Sequence, residues 1–266
     1  MKMLNIACGD RFHEEWINID FYATSNKVKT TNILNGLPYE DNSIDVIYSS
    51  HFIEHLSPDQ SNFVFRECHR VLKDGGIIRT VIPDLEDLCK EYLKLLDIVN
   101  KDKTYKEEYE WIVIELLDQL VRVNGGGKMA EMFSHIKATK NVKLANYVYH
   151  RVGDELLSDI KPKKRKITFQ KIKARILYIY LRLIRLMIPK SLRDLVFTNT
   201  PIGEKHQWMY DKFSLSNKLS DVGFKEIKTF TYKTSYIDRF NDYLLDIKKD
   251  GTPYKGVSSL YVDARK

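Results

Sequence analysis

The amino-terminal part of the chain, up to Leu85, alternates short runs of β-branched residues with longer segments of helical periodicity. Such alternation is typical of strands that are joined by crossover helices, so it predicts an α/β fold built on a parallel sheet. Between the last two predicted strands, Ser57-Pro58 predicts the start of a helix and Asp74-Gly75-Gly76 its end. The five predicted strands are Leu4–Ala7, Ile17–Asp20, Val28–Thr31, Ile44–Ser49 and Ile77–Ile82.

A long block of helical periodicity begins after Pro83-Asp84. Sheet character then returns, with a helix over 214–222 and strands over 224–232 and 258–264. We therefore divide the chain into a core at 1–84, a helical insertion at 85–200 and a return to the core sheet at 201–266. The helices predicted in the insertion are Leu85–Asn100, Tyr105–Val123, Lys128–Val152 and Thr168–Ile188.

Positive charge is concentrated in one segment. Twelve Lys or Arg and no acid lie between Lys161 and Arg193, whereas the whole chain carries a net charge of only +7. Because this segment carries +12, the rest of the chain sums to −5. A mildly acidic body argues against a protein built throughout to hold nucleic acid, while the basic segment suits phosphate, anionic lipid or RNA.

Composition excludes several classes of protein. With 43% apolar residues, 12 Gly and 7 Pro, the chain is not disordered or fibrous. Its three cysteines cannot form a disulfide framework, which favours a reducing cytoplasm. We predict no metal site from the sequence. We also expect neither a signal peptide nor a membrane-spanning helix.

The first predicted strand ends in a turn of small residues, Ala7-Cys8-Gly9, and Asp20 ends the second strand. At the carboxyl ends of neighbouring parallel strands, such a turn lets a ligand approach the backbone, and an acid can accept both hydroxyls of a ribose. The pair predicts a nucleoside site. A full Gly-x-Gly-x-x-Gly pattern is absent, however, and an ordinary loop has the same short pattern.

Three longer motifs follow in order: LPYEDNSID at 37–45, SSHFIEHL at 49–56 and ECHRVLKDGG at 67–76. With the turn and Asp20, this series closely resembles class I S-adenosylmethionine (SAM) dependent methyltransferases of the type 11 branch. The resemblance covers about Met3 to Leu85. It implies SAM as the cofactor and a Rossmann-like, mostly parallel seven-stranded sheet with a large helical insertion after the fifth strand.

The resemblance also implies cofactor roles for residues at the strand ends. Asp20 matches the acid that holds the ribose, and Asn32 falls beside the adenine, where an amide can both accept and donate hydrogen bonds. The interval from Gly9 to Asp20 is too short for a crossover helix, so we expect one turn around His13 to Trp16. The implied cofactor-binding residues are Ala7, Cys8, Gly9, Asp20, Asn32, Ile33, Ser50 and His51.

Methyl transfer to a hydroxyl needs a base, and histidine is the best suited near pH 7. The candidate catalytic residues are His51, His206 and Asp84. Asp84 equally suits the N-cap of the helix that starts at Leu85.

The segment HQWMYD at 206–211 and SLYVDA at 259–264 resemble members of this branch that accompany bacterial surface-polysaccharide genes. Aromatic side chains stack on sugars, so Trp208 and Tyr210 are candidate substrate-binding residues together with His55. Both aromatics also suit an ordinary core.

The helix predicted over 168–188 has one polar stripe on an otherwise apolar surface, and a basic cluster, Lys161-Pro162-Lys163-Lys164-Arg165-Lys166, precedes it. Two interpretations stay open: a cap helix buried on most sides, or an interfacial helix that rests on anionic lipid through 161–188. The stripe consists of Lys171, Arg175, Tyr178, Arg182 and Arg185.

Together these patterns predict a SAM-dependent methyltransferase acting on a sugar hydroxyl or terminal phosphate of a surface polysaccharide or lipid-linked precursor. The predicted location is the cytoplasm, with the inner face of the membrane as its possible docking place. One alternative is an RNA or small-metabolite methyltransferase, and another is a non-catalytic SAM-binding or scaffold protein. The sequence leaves the oligomeric state open.

Overall fold

The computed structural model describes residues 1–23, 25–123, 125–157, 169–189 and 203–266. Seven strands of this described part form one sheet in the order β3-β2-β1-β4-β5-β7-β6. Strands β1 to β5 pair in parallel, whereas β7 is antiparallel to both of its neighbours. The predicted mostly parallel, Rossmann-like α/β fold is thus confirmed. The strands are β1 (Met3–Ile6), β2 (Ile17–Asp20), β3 (Val28–Thr30), β4 (Ile44–Ser50), β5 (Leu72–Pro83), β6 (Lys225–Phe230) and β7 (Ser259–Arg265).

Six of the seven described α-helices lie between β5 and β6 in the chain, and the last of them leads directly into β6. Four of them form two apolar clusters of their own, centred on Trp111 and on Leu95. The helices are α1 (Pro58–Val71), α2 (Leu85–Lys101), α3 (Lys106–Val121), α4 (Gly127–Thr139), α5 (Val142–Val152), α6 (Phe169–Met187) and α7 (Lys212–Val222).

The two faces of the sheet bury different partners, because successive side chains of a strand point to opposite sides. Ile47 faces a large aliphatic core that α1 and α7 complete. Its neighbour Tyr48 faces an aromatic cluster with Trp16 and Phe240, which covers the second face. The return segment therefore contributes to the sheet as well as to its covering layers.

The prediction that residues 74–76 close the first helix is wrong. Helix α1 begins as predicted, with Ser57 as its N-cap and Pro58 at the first position, but it ends at Val71. Residues 72–76 already belong to β5, and the register with β4 shifts there. A Cβ on Gly76 would lie 2.8 Å from the Lys73 carbonyl oxygen, so the glycines serve an irregular strand and not a helix end.

The prediction of one helix over 128–152 is also wrong. The chain forms α4 and α5, separated at Lys140, which has a left-handed backbone with φ of +53°. The Asn141 side chain accepts a hydrogen bond from the Leu144 amide at 3.0 Å and so begins a new helix. Asparagine competes with helical hydrogen bonding in this way, and periodicity alone does not register it.

The expected turn between β1 and β2 is present, since the Trp16 amide donates to the His13 carbonyl at 3.1 Å. The basic cluster at 161–166 and Thr168 lie outside the described residues, as do the side chains of Lys171, Tyr178 and Arg185. Across the described ranges, we find no helix that combines the length and hydropathy needed to span a bilayer.

Candidate functional site

The turn after β1 brings the backbone close to open space at the sheet edge. Ala7 and Gly9 both have left-handed backbones, with φ of +52° and +54°. Apart from its chain neighbours, no heavy atom of the described residues lies within 4 Å of the position that a Gly9 Cβ would occupy. A non-glycine residue with a left-handed backbone, such as Ala7, is strained, and such strain is common where the backbone contacts a ligand.

The Asp20 carboxylate anchors this turn. One of its oxygens accepts a hydrogen bond from the Gly9 amide at 2.8 Å, and the other accepts one from the Tyr22 amide at 3.0 Å. The Cys8 amide also bonds to the Ile19 carbonyl, so the turn is fixed against β2. The sequence-predicted pair of turn and acid is therefore together in space.

A cavity of about 300 Å³ opens at the carboxyl ends of β1 and β4. This volume is at the lower end of the range for small-ligand sites, about 300–1,000 Å³. Five of the eight cofactor residues implied by the resemblance line it: Ala7, Cys8, Gly9, Ser50 and His51. The other lining residues are Asn5, Asp10, Arg11, Tyr48, Tyr254 and Lys255.

Arg11, Tyr254 and Lys255 were not predicted as site residues. The Arg11 guanidinium lies over the Tyr254 ring at 4.0 Å and donates to the Ile247 carbonyl at 2.7 Å. Its Nε is buried without a hydrogen-bond partner among the described residues. No local sequence signal joins Arg11 to Tyr254.

His51 follows β4 with a left-handed backbone at φ of +50°. Its Nε2 lies 3.0 Å from the Ser259 hydroxyl, and its Nδ1 lies 3.3 Å from a Glu54 carboxylate oxygen. Burial lowers the pKa of His51, and the charge of Lys255 acts in the same direction. The imidazole is therefore held in its neutral, basic form beside the cavity.

Beyond His51, the side chains of Glu54, His55 and His206 converge. Burial alone would raise the pKa of Glu54, but the surrounding imidazoles, His51 first, hold it at about 2. Burial lowers the pKa of His206 to about 4. At neutral pH this cluster therefore contains a buried carboxylate and a neutral His206.

The cavity lining leaves out several predicted residues: Asp20, Asn32, Ile33, Asp84, His55, His206, Trp208 and Tyr210. Asn32 caps a short 3-10 turn by accepting from the Leu34 amide, and Ile33 is fully buried in the main core. Asp84 is the N-cap of α2 and accepts from the Glu86 amide at 3.0 Å. Burial raises the pKa of Asp84 above its ordinary value.

The predicted substrate residues are divided between core and surface. Tyr210 is 1% exposed, and its hydroxyl lies 2.9 Å from the Ser61 hydroxyl inside the main core. Trp208 is 49% exposed. His55 is half-buried, and its ring meets that of His206 edge to face with centroids 5.0 Å apart. The structure thus joins His55 to His206 and leaves Tyr210 away from the cavity.

A sequence profile described as a methyltransferase domain matches residues 7–80, from the turn after β1 into β5. This segment is therefore similar to methyltransferase domains. The resemblance drawn from the sequence motifs is confirmed by this match. The matched residues include Asp20 and His51.

One curated relative is named probable methyltransferase ltbC, from Aspergillus luteorubrus. It is 42% identical over 50 residues, a stretch that covers 18% of this chain and 18% of that protein. The shared segment is thus less than one fifth of either chain.

Solved structures of similar fold include a SAM-dependent methyltransferase from Archaeoglobus fulgidus, at 12% identity and a TM-score of 0.40. The alignment covers 100% of this chain and 86% of that chain. Another is a SAM-dependent methyltransferase from Mesorhizobium loti, at 10% identity, with a TM-score of 0.36 and coverage of 100% and 90%.

The residues of the methyltransferase domain fit SAM in three respects. The open backbone at Gly9 lets a ligand approach the turn. The Asp20 carboxylate at the end of β2 supplies acceptors of the kind that a ribose needs. The unpartnered Arg11 Nε is a buried donor on a cationic group, which suits the carboxylate of the methionine part.

Proposed function

We propose that this protein transfers the methyl group of SAM to a hydroxyl oxygen of a small acceptor. The observation that carries the proposal is the position of His51, which lines the same cavity as the Ala7–Gly9 turn. A base and a cofactor-binding turn in one cavity are what hydroxyl methylation requires. The proposed cofactor contacts are the turn, Asp20 for the ribose and Arg11 with Lys255 for the carboxylate.

SAM supplies an electrophilic methyl group when it is bound, so the protein must supply alignment and a proton acceptor. In this proposal His51 Nε2 removes the hydroxyl proton. Its Nδ1 faces Glu54, which favours the tautomer with a proton on Nδ1 and a lone pair on Nε2. Glu54 acts as a positioning residue. Ser259, now 3.0 Å from Nε2, marks where an acceptor hydroxyl would sit.

The proposed acceptor is a sugar hydroxyl, or a terminal phosphate, of a surface polysaccharide or its lipid-linked precursor. The half-exposed Trp208, anchored by its amide to the Glu54 carbonyl, supports a sugar-binding surface beside the site. In this proposal residues 1–84 and 201–266 bind SAM, and the insertion at 85–200 covers the acceptor. Asn32 and Ile33 remain proposed neighbours of the adenine.

The decisive experiment measures formation of S-adenosylhomocysteine with lipid-linked sugars, nucleotides and RNA as parallel acceptors. We expect turnover with a glycan acceptor. Turnover with RNA alone would instead support an RNA methyltransferase, and SAM binding without any turnover would support the non-catalytic alternative. Absence of SAM binding in calorimetry would refute both the methyltransferase and the SAM-binding scaffold.

The role of His51 is tested by His51→Gln, which keeps a polar side chain of similar length. Loss of a general base lowers kcat by about 10²–10⁴-fold. Affinity for SAM should persist, because Gly9 and Asp20 are unchanged. His135→Gln, on an exposed histidine of α4, is the matched control. Unaltered kcat in His51→Gln would remove His51 as the base.

Helix α6 supports a second proposal, contact with an anionic membrane. Its apolar side chains Ile176, Ile179, Tyr180 and Leu183 are 52–63% exposed. At 100° per residue they form one stripe, and the exposed Arg175 and Arg182 lie together along one edge of it. An apolar stripe with a basic edge is typical of helices that lie in a membrane interface.

Vesicle flotation tests this contact, with acidic and with neutral phospholipids. Replacing both Arg175 and Arg182 by Gln should weaken binding to acidic vesicles by about 2 kcal/mol, or roughly 30-fold, since each basic residue contributes about 1 kcal/mol. Lys94→Gln with Lys101→Gln on α2 is the charge-matched control. Equal flotation with neutral vesicles, or none at all, would contradict the proposal.

A further inference from the structure

Three ligand-forming side chains meet next to His51. Glu54, His55 and His206 each offer one nitrogen or oxygen atom, and these atoms lie within 4.8 Å of one another. The turn after β4 carries the first two, while His206 comes from the segment that returns from the insertion. None of the three lines the cavity.

Backbone hydrogen bonds fix the returning segment against the turn. The Gln207 amide donates to the Glu54 carbonyl at 2.7 Å, and the Gln207 side chain donates to the His55 carbonyl at 2.9 Å. The His206 amide bonds to the Gln119 carbonyl of α3 at 2.9 Å. The cluster is therefore held by three separate parts of the chain, and its members cannot drift apart independently.

The Glu54 carboxylate is the unusual member. It is 1% exposed, and neither oxygen has a partner with hydrogen-bond geometry among the described residues. A buried carboxylate is costly unless a cation or hydrogen bonds compensate it. The buried Arg122 does not compensate it directly, because its guanidinium pairs with Asp118. A positive ion at the cluster would supply what Glu54 lacks.

His55 has the orientation of a metal ligand. Its Nδ1 lies 2.9 Å from the Lys205 carbonyl oxygen, and a carbonyl can only accept, so Nδ1 carries the proton. The lone pair is therefore on Nε2. Histidines that bind metals commonly donate their other ring nitrogen to a carbonyl or carboxylate in this manner.

We propose that Glu54, His55 and His206 form a binding site for a divalent transition-metal ion of the zinc class. Two imidazoles and one carboxylate are a frequent ligand set for such ions, and they leave a position open to water or an acceptor oxygen. In a tetrahedral site, bonds of about 2.0–2.2 Å place the ligand atoms roughly 3.3–3.6 Å apart, so side-chain movements of about 1 Å would close the cluster on an ion.

The metal site is compatible with the role proposed for Glu54 beside His51. A carboxylate has two oxygens, so one can face the His51 imidazole while the other binds the ion. The inference does not rest on the proposed function, because metal binding is measured without SAM or acceptor. If no methyl transfer were found, the metal-site proposal would still hold. If no metal bound, the proposed SAM site would be unaffected.

The test is a titration of chelator-treated, untagged full-length protein with Co²⁺ alone, followed by visible absorption. We expect one equivalent to bind and to give the ligand-field bands of a protein-bound ion, which Zn²⁺ then abolishes. His55→Ala and His206→Ala should each weaken Co²⁺ binding by more than about 10-fold. Removing a residue that only hydrogen-bonds to a metal ligand already lowers metal affinity by about 10–100-fold, and these variants remove a ligand itself.

His135→Ala, which removes an exposed histidine beside Glu107, is the matched control and should bind Co²⁺ like the wild type. Because His55 is half-buried, its alanine variant should retain the fold, as circular dichroism of the metal-free protein will check. The proposal is overturned if the wild type takes up no stoichiometric Co²⁺. It is also overturned if affinity is equal in folded His55→Ala and the wild type.

Discussion

Asp20 connects two strand ends through bonds to backbone amides of Gly9 and Tyr22. Hydrogen bonds to a charged group contribute about 1.5–3 kcal/mol, roughly twice those between neutral groups. We expect Asp20→Asn to weaken SAM binding by about 10- to 100-fold in calorimetry, because it removes the charge and one acceptor oxygen. Asp97→Asn, on the exposed face of α2, controls for the charge change. Unchanged affinity in Asp20→Asn would contradict the ribose assignment.

The three cysteines should differ sharply in reactivity. Cys8 and Cys68 are buried, and burial raises the pKa of Cys8 to about 12 and that of Cys68 still further above its ordinary value. Since the thiolate is the reactive form, neither should alkylate in the folded protein. Cys89 is exposed. Peptide mass spectrometry after iodoacetamide should find label on Cys89 alone, and label on Cys8 would show that the turn opens.

At the residue scale, sequence reasoning predicted contacts that a short stretch of parallel strands enforces. Gly9 and Asp20 end adjacent strands, so the fold brings them together whatever the rest of the chain does. Arg11 and Tyr254 lie near opposite ends of the chain, and only the packing of the return segment places one over the other. No periodicity or motif encodes such a contact.

At the element scale, helix starts depend on single capping side chains. Ser57 accepts from the Gln60 amide, while the Gln60 side chain accepts from the Ser57 amide, forming a capping box for α1. Ser57→Ala should lower the free energy of unfolding by about 1 kcal/mol, measured by chemical denaturation. Ser134→Ala within exposed α4 is the same substitution without a cap, and we expect no loss. Equal losses in both would contradict the capping role.

Helix starts were predicted better than helix ends. The pattern Ser57-Pro58 carries its own chemistry, a hydroxyl acceptor followed by a residue that needs no donor. The end at Val71 and the break at Lys140 depend on strand pairing and on the capping by Asn141, which periodicity does not register. Periodicity therefore missed one boundary that a tertiary strand pairing sets and one that a local cap sets.

At the scale of the whole molecule, one buried arginine joins the sheet to the return segment. Arg79 on β5 is fully buried and donates to Asp246 at 2.7 Å and to Asp263 at 2.8 Å. The Tyr48 hydroxyl also donates to Asp246. Burial raises the pKa of Asp246, and the Arg79 charge opposes that rise. The network fixes the segment that brings Tyr254 and Lys255 to the cavity.

Arg79→Met should cost about 3–5 kcal/mol of unfolding free energy, because it leaves two buried carboxylates without their cation. In the variant the pKa of Asp246 rises further, so the protonated form is favoured in the folded state. The variant should therefore be more stable at acidic than at neutral pH. Arg239→Met breaks an exposed pair with Asp242 and should leave stability nearly unchanged, because water screens that pair. A small, pH-independent loss in Arg79→Met would contradict the network's role.

The sequence by itself determined the five strands of the first part, the nucleoside turn with Asp20 and the methyltransferase class. The strands depend on local periodicity, and the turn and the class depend on motifs that lie close together in the chain. Tertiary structure alone decided which distant residues complete the site. His206 reaches Glu54 and His55 from beyond the helical insertion, and Tyr254 reaches Arg11, because the return segment pairs with β5 and is held by Arg79. Contacts between segments so far apart depend on packing of the whole chain, which no local pattern specifies.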